Sequence, residues 1–306
     1  MKQSKNNFST KRTIIYSDIH LQAPLRKDGE TIKPDACHEP SALSVAFQIH
    51  KNFGADEVIN IGDLYDCALC SGWTAQCRLG QVMGEDGQFH FSAWKDTANM
   101  GRTYWEYMRQ LSPRAKMVQI EGNHEFRCDM VIRNNTQLEA LKDIIHIQSF
   151  PFWKELEIEY HPYNAIGADA WYDVSKFRVM HGNGLSPSKM RLQNDNVIYG
   201  HTHQLLIDAW DKTTRNSAMG KETKRAYSIG CLCKLDPEFS VKGGRANGWA
   251  NGFAYVYTLP NGMSQIEIVE IINGNTVVNF NGRAYYAKPL RELSNSISNL
   301  ELPYSK

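Results

Sequence analysis

The sequence predicts an α/β fold built on mixed sheets, and three observations carry that expectation. Short apolar, β-branched runs at 13–17, 57–61 and 116–120 alternate with helical patterns at 41–53 and about 95–111. Strand–helix alternation of this kind makes βαβ units with parallel strands. The C-terminal third then turns to closely spaced β-rich segments at 204–210, 225–231, 252–258 and 263–272, the last two separated by Leu259-Pro260-Asn261-Gly262. Asn-Gly between apolar strands is a hairpin signal, so a mixed sandwich fits better than a purely doubly wound sheet.

Along the chain, the first strand ends at Asp18 and is followed by a polar stretch, 22–40, with the composition of a loop. Residues 67–94 carry Gly72, Gly80, Gly84 and Gly87 and read as an irregular insertion, which with the helical pattern after it spans about 67–111. Two further apolar runs, 177–181 and 195–199, fit the strand scheme, and 287–306 reads as a polar C-terminal tail. The expected organisation is one domain over 1–286. No repeat or low-complexity tract interrupts it.

Composition narrows the function classes. The 306 residues carry 34 Lys plus Arg against 33 Asp plus Glu, a net charge of +1, which excludes a surface made to coat nucleic acid but not a local basic patch. At 42% hydrophobic and 22% charged residues the chain has enough apolar mass to fold rather than stay disordered. No 18-residue apolar run suggests a membrane span, and the basic N-terminus lacks the apolar core of a signal peptide. Seven cysteines, an odd count, fit reduced thiols and a cytoplasmic location.

The residues that end the runs are the informative ones: Asp18-x-His20, Gly62-Asp63-x-x-Asp66, Gly122-Asn123-His124-Glu125, His181-Gly182 and Gly200-His201-x-His203. Each alone is commonplace, since Gly-Asp usually makes a turn and a lone His-Gly says nothing. Together they follow five strands, and in α/β sheets the carboxyl ends of strands converge on one rim. Five His/Asp/Asn clusters on one rim supply the donor types that divalent metals take.

With these motifs the sequence resembles the calcineurin-like metallophosphoesterases over about residues 13–258. The resemblance implies a four-layer α/β/β/α sandwich of two mixed sheets flanked by helices, with a two-metal centre. It implies that Asp18, His20, Asp63 and His203 hold one ion, that Asp63, Asn123, His181 and His201 hold the other, and that His124 is a catalytic residue outside the ligand set. The chemistry fits. Two divalent cations clamp the attacking and leaving oxygens at phosphorus, a bridging water between them yields the hydroxide nucleophile, and His124 serves as general acid to the leaving oxygen. Manganese is the expected metal; iron, zinc and nickel suit the same donors.

Protein Ser/Thr phosphatases of that superfamily carry Gly-Asp-x-x-Asp-Arg and Arg-Gly-Asn-His-Glu. Here Cys67 follows Asp66 and Glu121 precedes Gly122, so both arginines are absent and an acidic residue is expected beside the site. The run through Arg127 and the later Gly248-Trp249-x-x-Gly252-Phe253 look like phage- and prophage-borne phosphoesterases, which would place the protein in a host cytoplasm. Asp66 and Arg127 are the candidate substrate-binding residues; Arg127 is equally readable as a solvated helix arginine. The expected activity is hydrolysis of a nucleotide or nucleic-acid phosphodiester. A phosphomonoesterase is the alternative, and a metal-bound protein without turnover the second.

Three groups keep two readings. Trp73, Trp94, Tyr104, Trp105 and Tyr107, with Arg78, Arg102 and Arg109, could stack bases beside the site; the helical spacing of Met100, Tyr104, Tyr107, Met108 and Leu111 favours a core face. Cys67-x-x-Cys70, with Cys77 and His90, could hold zinc or form a redox pair, but ordinary reduced thiols are the favoured reading, as packed thiols are for Cys231 and Cys233. The basic run 221–225 reads as a hairpin loop rather than a nucleic-acid patch.

Overall fold

The structure, a computed structural model, describes residues 10–23, 25–27, 30–33, 37–67, 70, 91–134, 136–163, 170–182, 196–212, 222–235 and 248–301. The strands in chain order are β1 (Lys11–Tyr16), β2 (Leu25–Lys27), β3 (Glu30–Lys33), β4 (Glu57–Asn60), β5 (Lys116–Ile120), β6 (Ile158–His161), β7 (Trp171–Val174) and β8 (Phe177–Met180). They continue with β9 (Asn196–Tyr199), β10 (Leu205–Lys212), β11 (Glu222–Ile229), β12 (Asn251–Thr258), β13 (Ser264–Ile271), β14 (Thr276–Phe280) and β15 (Arg283–Tyr286). Three longer helices are α1 (Pro40–Phe53), α2 (Phe91–Leu111) and α3 (Asn123–Asn134).

One sheet runs β13-β12-β1-β4-β5-β6 and the second β10-β11-β9-β8-β7, and both mix parallel with antiparallel pairs. Register explains the layers. Ile15, Ile59 and Val118 are aligned across β1, β4 and β5, and with Ile198 and Val179 they belong to the core between the two sheets. Their neighbours Ile14, Val58 and Met117 point the other way, into a larger core with Phe47, Trp105 and Tyr104 of α1 and α2. A period of two in the strands thus feeds two cores at once. Helix, sheet and sheet are the layers among the described residues. The connection between the parallel neighbours β8 and β9 runs through 183–195, outside the described residues, and no fourth layer is among the described ones.

Local chemistry sets the element ends. α1 begins with Pro40 at its first turn and Glu39 accepting a bond from the Ser41 N–H, and it stops at Gly54, whose φ of 63° suits glycine. The expected hairpin at Asn261-Gly262 joins β12 to β13. A second Asn-Gly, Asn281-Gly282, with φ of 49° and 76°, joins β14 to β15 in the two-residue turn that such positive angles allow.

Several expectations are corrected. Residues 222–225 belong to β11, paired with β10 (Arg225 opposite Ala209), and are not a loop. The helix in the expected insertion is regular from Phe91 to Leu111. Trp94, Met100, Tyr104, Trp105, Tyr107 and Met108 are buried, so these aromatics are core, as their helical spacing favoured, and not a base-stacking platform. Arg102 pairs with Glu106 and Glu155, and Arg109 donates to the carbonyls of Ala115 and Leu156. Trp73, Cys77, Arg78 and His90 lie outside the described residues. The segment read as a polar tail packs Leu290, Ile297 and Leu300 into the larger core. Among the described residues no helix is long and apolar enough to cross a membrane.

Candidate metal centre

The clusters singled out in the sequence meet in space. Asp18 and His20 follow β1, Asp63 and Asp66 follow β4, Asn123 and His124 open α3 after β5, His181 follows β8, and His201 and His203 follow β9. Five strand ends from two sheets therefore converge. Two glycines let them. A Cβ on Gly122 would lie 2.1 Å from Asp63 Oδ1, and one on Gly200 would lie 2.4 Å from Asp18 Oδ2.

The candidate ligand atoms fall into two sets that share Asp63. In the first, His203 Nε2 lies 3.1 Å from Asp18 Oδ1 and 3.3 Å from His20 Nε2, and His20 Nε2 lies 3.8 Å from Asp63 Oδ2. In the second, Asn123 Oδ1 lies 2.8 Å from His181 Nε2 and 2.9 Å from His201 Nδ1, and His181 Nε2 lies 3.3 Å from the same Asp63 Oδ2. Neighbouring ligands on an ion with bonds of about 2.1 Å stand ~3.0 Å apart in an octahedron and ~3.4 Å in a tetrahedron. The observed spacings bracket those values, so the donors fit two divalent cations with Asp63 between them.

Outer contacts fix which ring nitrogen faces each set. His20 Nδ1–H donates to Asp66 Oδ1 at 3.1 Å and His181 Nδ1–H to the Ile61 carbonyl at 3.1 Å, leaving both Nε2 atoms for the centre. Asp18 Oδ2 accepts from the His201 N–H at 2.9 Å and from the Ser17 hydroxyl.

Charge points the same way. Asp18, Asp63 and Asp66 are buried, which is costly for carboxylates without cations. Burial alone would raise the Asp18 carboxyl, but the His203 charge and hydrogen bond outweigh it and hold it at about 2. Burial would lower His203, but Asp18 overrides that and raises it to about 9, so a shared proton stands where a cation would. Asp63 and Asp66 are likewise held well below the carboxylate range against burial, by the surrounding histidines. His201, desolvated beside His181, falls to about 4.

His124 sits at the mouth, its side chain 14% exposed where Asp63 is 1%. Its Nδ1–H reaches the Asp66 carbonyl at 2.7 Å and Asp66 Oδ1 at 3.2 Å, and its Nε2 lies 3.7 Å from Asp63 Oδ2. The Arg127 guanidinium lies 2.8–2.9 Å from the two ring nitrogens.

Sequence reasoning missed Glu125, the organising carboxylate. Gly122 is the N-cap of α3 and has no side chain to cap with. Asp63 Oδ1 takes that part from another loop, accepting the His124 N–H at 2.9 Å. Glu125, three residues after the cap, accepts the Gly122 N–H at 2.9 Å, which is the returning half of a capping box. It also accepts the N–H groups of Asp63 and Tyr65 at 3.0 and 2.9 Å, tying the two ligand loops together. The cap-plus-three spacing was the available signal.

Glu121 requires a correction. It does not face the centre. Its carboxylate accepts from the Tyr163 N–H at 2.6 Å and the Tyr160 hydroxyl at 3.2 Å, and burial raises it to about 7. The acidic residue expected beside the site is therefore turned away from it, and Glu121 sets no charge against a dianion there. Cys67, in the other arginine position, is a buried thiol pushed up to about 12 by that burial. It and Cys70 lie in the core as free thiols.

No family model and no curated protein matches the chain. Among solved structures it is similar to a metallophosphoesterase from Sphaerobacter thermophilus, at 13% identity and a TM-score of 0.37 over 86% of this chain and 88% of that one. The nuclease MPE of Pseudomonas putida is similar at 12% identity and a TM-score of 0.34, over 79% and 83%. The purple acid phosphatase PPD1 of yellow lupin (Lupinus luteus) is similar at 13% and 0.40, over 97% of this chain and 57% of that one. At such values the residues of the site, and not the likeness, carry the chemistry below.

Proposed function

We propose that this chain is a binuclear metallophosphoesterase, a hydrolase of phosphoric esters, and that its substrate is a nucleotide or nucleic-acid phosphodiester. One observation carries the first part: Asp63 Oδ2 lies within 3.8 Å of His20 Nε2 and 3.3 Å of His181 Nε2, one carboxylate shared by two ligand sets. Asp18, His20, Asp63 and His203 would hold one ion, and Asp63, Asn123, His181 and His201 the other. Divalent ions there, with manganese first and iron, zinc or nickel as alternatives, would polarise a phosphoryl oxygen and make water a nucleophile at neutral pH.

The chain's own residues supply the rest. His124 is the proton donor to the leaving oxygen, because it reaches the mouth without belonging to either ligand set. Asp66 orients it by accepting at Nδ1. Arg127, beside it, offers a fork of N–H donors to a non-bridging phosphate oxygen. Two divalent ions held there would offset part of the substrate's negative charge, and a diester monoanion then needs fewer further cations than a monoester dianion. Missing arginines at 67 and 121 support the diester on that ground.

Glu121 turned onto Tyr160 and Tyr163 favours a second reading, a phosphomonoesterase, because no carboxylate then repels the extra charge. The likeness of the motifs around Asn123 and Trp249 to phage-borne phosphoesterases, and with it a host cytoplasm, belongs to the same proposal. The test is turnover of paired aryl phosphodiester and monoester substrates with added Mn²⁺. A larger kcat/KM for the diester supports the first reading and the reverse supports the second. No turnover of either, with both ions bound, leaves a metal-binding protein without catalysis.

A further inference from the structure

His203 has a partner on the side of its ring that turns away from the centre. Its Nε2 faces Asp18 Oδ1, while its Nδ1 lies 3.6 Å from Cys233 Sγ, within hydrogen-bond reach for sulfur. Both residues are buried, at 5% and 2% exposure, so water does not replace the contact. His20, His203 and Cys233 together place one donor atom each within 4.8 Å of one another. His20 and His181 give their outer N–H to oxygen acceptors, Asp66 and the Ile61 carbonyl. At His203 a sulfur takes that place.

The sulfur is held there by the fold. The Leu232 N–H donates to the Asp18 carbonyl at 3.1 Å, which ties the Cys231–Cys233 segment to the first ligand loop. Asn251 Nδ2 donates to the Cys233 carbonyl at 2.7 Å, and the Lys234 N–H to the Cys37 carbonyl at 2.7 Å. The Ala250 N–H donates to the His203 carbonyl at 2.8 Å, and the Trp249 ring packs on the imidazole with centroids 4.1 Å apart. Backbone and ring face of His203 are thus fixed by other groups, and the choice between its two nitrogens is left to what sits at Nδ1.

We infer that Cys233 is a positioning residue of the first metal site: its sulfur accepts the Nδ1–H of His203 and so commits Nε2 to the metal. The inference rests on the two-metal reading above. Outer partners of metal-ligating histidines typically matter by ~10–100-fold in metal affinity. Cys231 is the internal control. It is a buried thiol two residues away whose sulfur reaches the Ala250 and Cys233 carbonyls and Asn251, not a ligand ring.

The experiment is a zinc titration of the full chain against a chelating indicator, on wild type, Cys233→Ala and Cys231→Ala, with thermal melts of each. Two binding steps are expected for the wild type. Cys233→Ala should weaken one step by about 10–100-fold and spare the other, and Cys231→Ala should spare both. If Cys233→Ala melts below the assay temperature, Cys233→Ser replaces it. Its hydroxyl, on a shorter bond, stops short of Nδ1 and should give the same one-step loss. A histidine-ring ¹⁵N spectrum of the zinc-loaded protein supplies a readout that packing alone would not move: the protonated Nδ1 signal of His203 should shift on loss of the sulfur. Unchanged steps in both Cys233 variants, or equal losses in the Cys231 and Cys233 variants, overturn the inference while leaving the two-metal reading standing. A wild type that binds fewer than two ions removes that reading, and this inference with it.

Discussion

Glu125→Gln removes one charge and turns one acceptor into a donor without changing shape. The wild-type carboxylate accepts the Asp63 and Gly122 N–H groups on Oε2, at 3.0 and 2.9 Å, and the Tyr65 N–H on Oε1, at 2.9 Å. At 1% exposure no solvent stands in for it. An amide has one acceptor oxygen. In its better orientation it keeps Asp63 and Gly122 and sets its NH₂ against the Tyr65 N–H. One stranded buried donor costs about 1–3 kcal/mol, and two bonds that lose their charge assistance cost ~1 kcal/mol each, so the loss is about 3–5 kcal/mol.

The sign of the metal dependence follows from the neighbours. Burial, and then the Asp63 charge, raise the Glu125 carboxyl to about 8 in the metal-free chain, so near neutral pH it is largely protonated there and the variant removes little charge. Bound cations would favour the carboxylate, and in the loaded protein the variant then removes a full charge. The variant should therefore lose more stability in the loaded protein than in the metal-free one, and lose about 10–100-fold in metal affinity because both ligand loops hang from this carboxylate. Thermal unfolding with and without Mn²⁺, beside a metal titration, measures both. A loaded variant within ~0.5 kcal/mol of wild type, with unchanged affinity, would refute the clamp.

Three further outcomes are expected. His124→Ala should keep both ions and lose about 10²–10⁴-fold in kcat, whereas Asp63→Asn should lose metal as well, both read by metal analysis beside turnover. Glu121 is raised by burial from 4.5 to about 7, so the folded chain binds the extra proton and stability falls as pH rises through that window; Glu121→Gln should flatten the decline and gain about 1–3 kcal/mol at pH 8 over wild type, read by urea unfolding at several pH values. His203 holds a proton up to about 9 beside Asp18, so metal uptake at pH 7 should release close to one proton, measured calorimetrically in buffers of different ionisation enthalpy, and affinity should rise with pH.

The convergence of the candidate ligands was legible because strand ends are readable and because the residues that follow them are Asp, Asn and His, which combine metal affinity with tolerance of turns. What a side chain meets across the fold was less legible. Glu121 stands next to a ligand loop in sequence yet faces Tyr160, because it extends β5 toward β6, where the alternation of the strand sends it away. Cys233 is 30 residues from His203 and meets it through the Leu232–Asp18 bond, a contact with no local signature. The β14–β15 hairpin had its Asn281-Gly282 signal, but its flanks, 276–280 and 283–286, mix polar and aromatic residues and weaken the alternation. Leu290, Leu293, Ile297 and Leu300 repeat at 3-4-3 spacing, an amphipathic signal that the polar composition of 287–306 masked.

Backbone strain is built into the candidate metal centre. Asp18, His20, Asp63, His201 and His203 all have φ between 50° and 61°, the left-handed region, at about 1–3 kcal/mol each for residues other than glycine. Asp and His tolerate it best, which is one reason these residue types can serve here. The conformation has a geometric effect. In a regular strand residues two apart share a face but lie one repeat further along, whereas left-handed turns at Asp18 and His20, and at His201 and His203, bend the chain so that each pair closes on one pocket. The strain is restrained by backbone bonds rather than by ligands: Asp18 N–H to the Gly62 carbonyl at 3.1 Å, His20 N–H to the Asp63 carbonyl at 2.9 Å, and Leu21 N–H to the Leu64 carbonyl at 2.7 Å. These continue the pairing of β1 with β4 beyond the ends of both strands. The sheet therefore holds the donors at ligand spacing, and a cation would enter a site whose conformational cost the fold has already met.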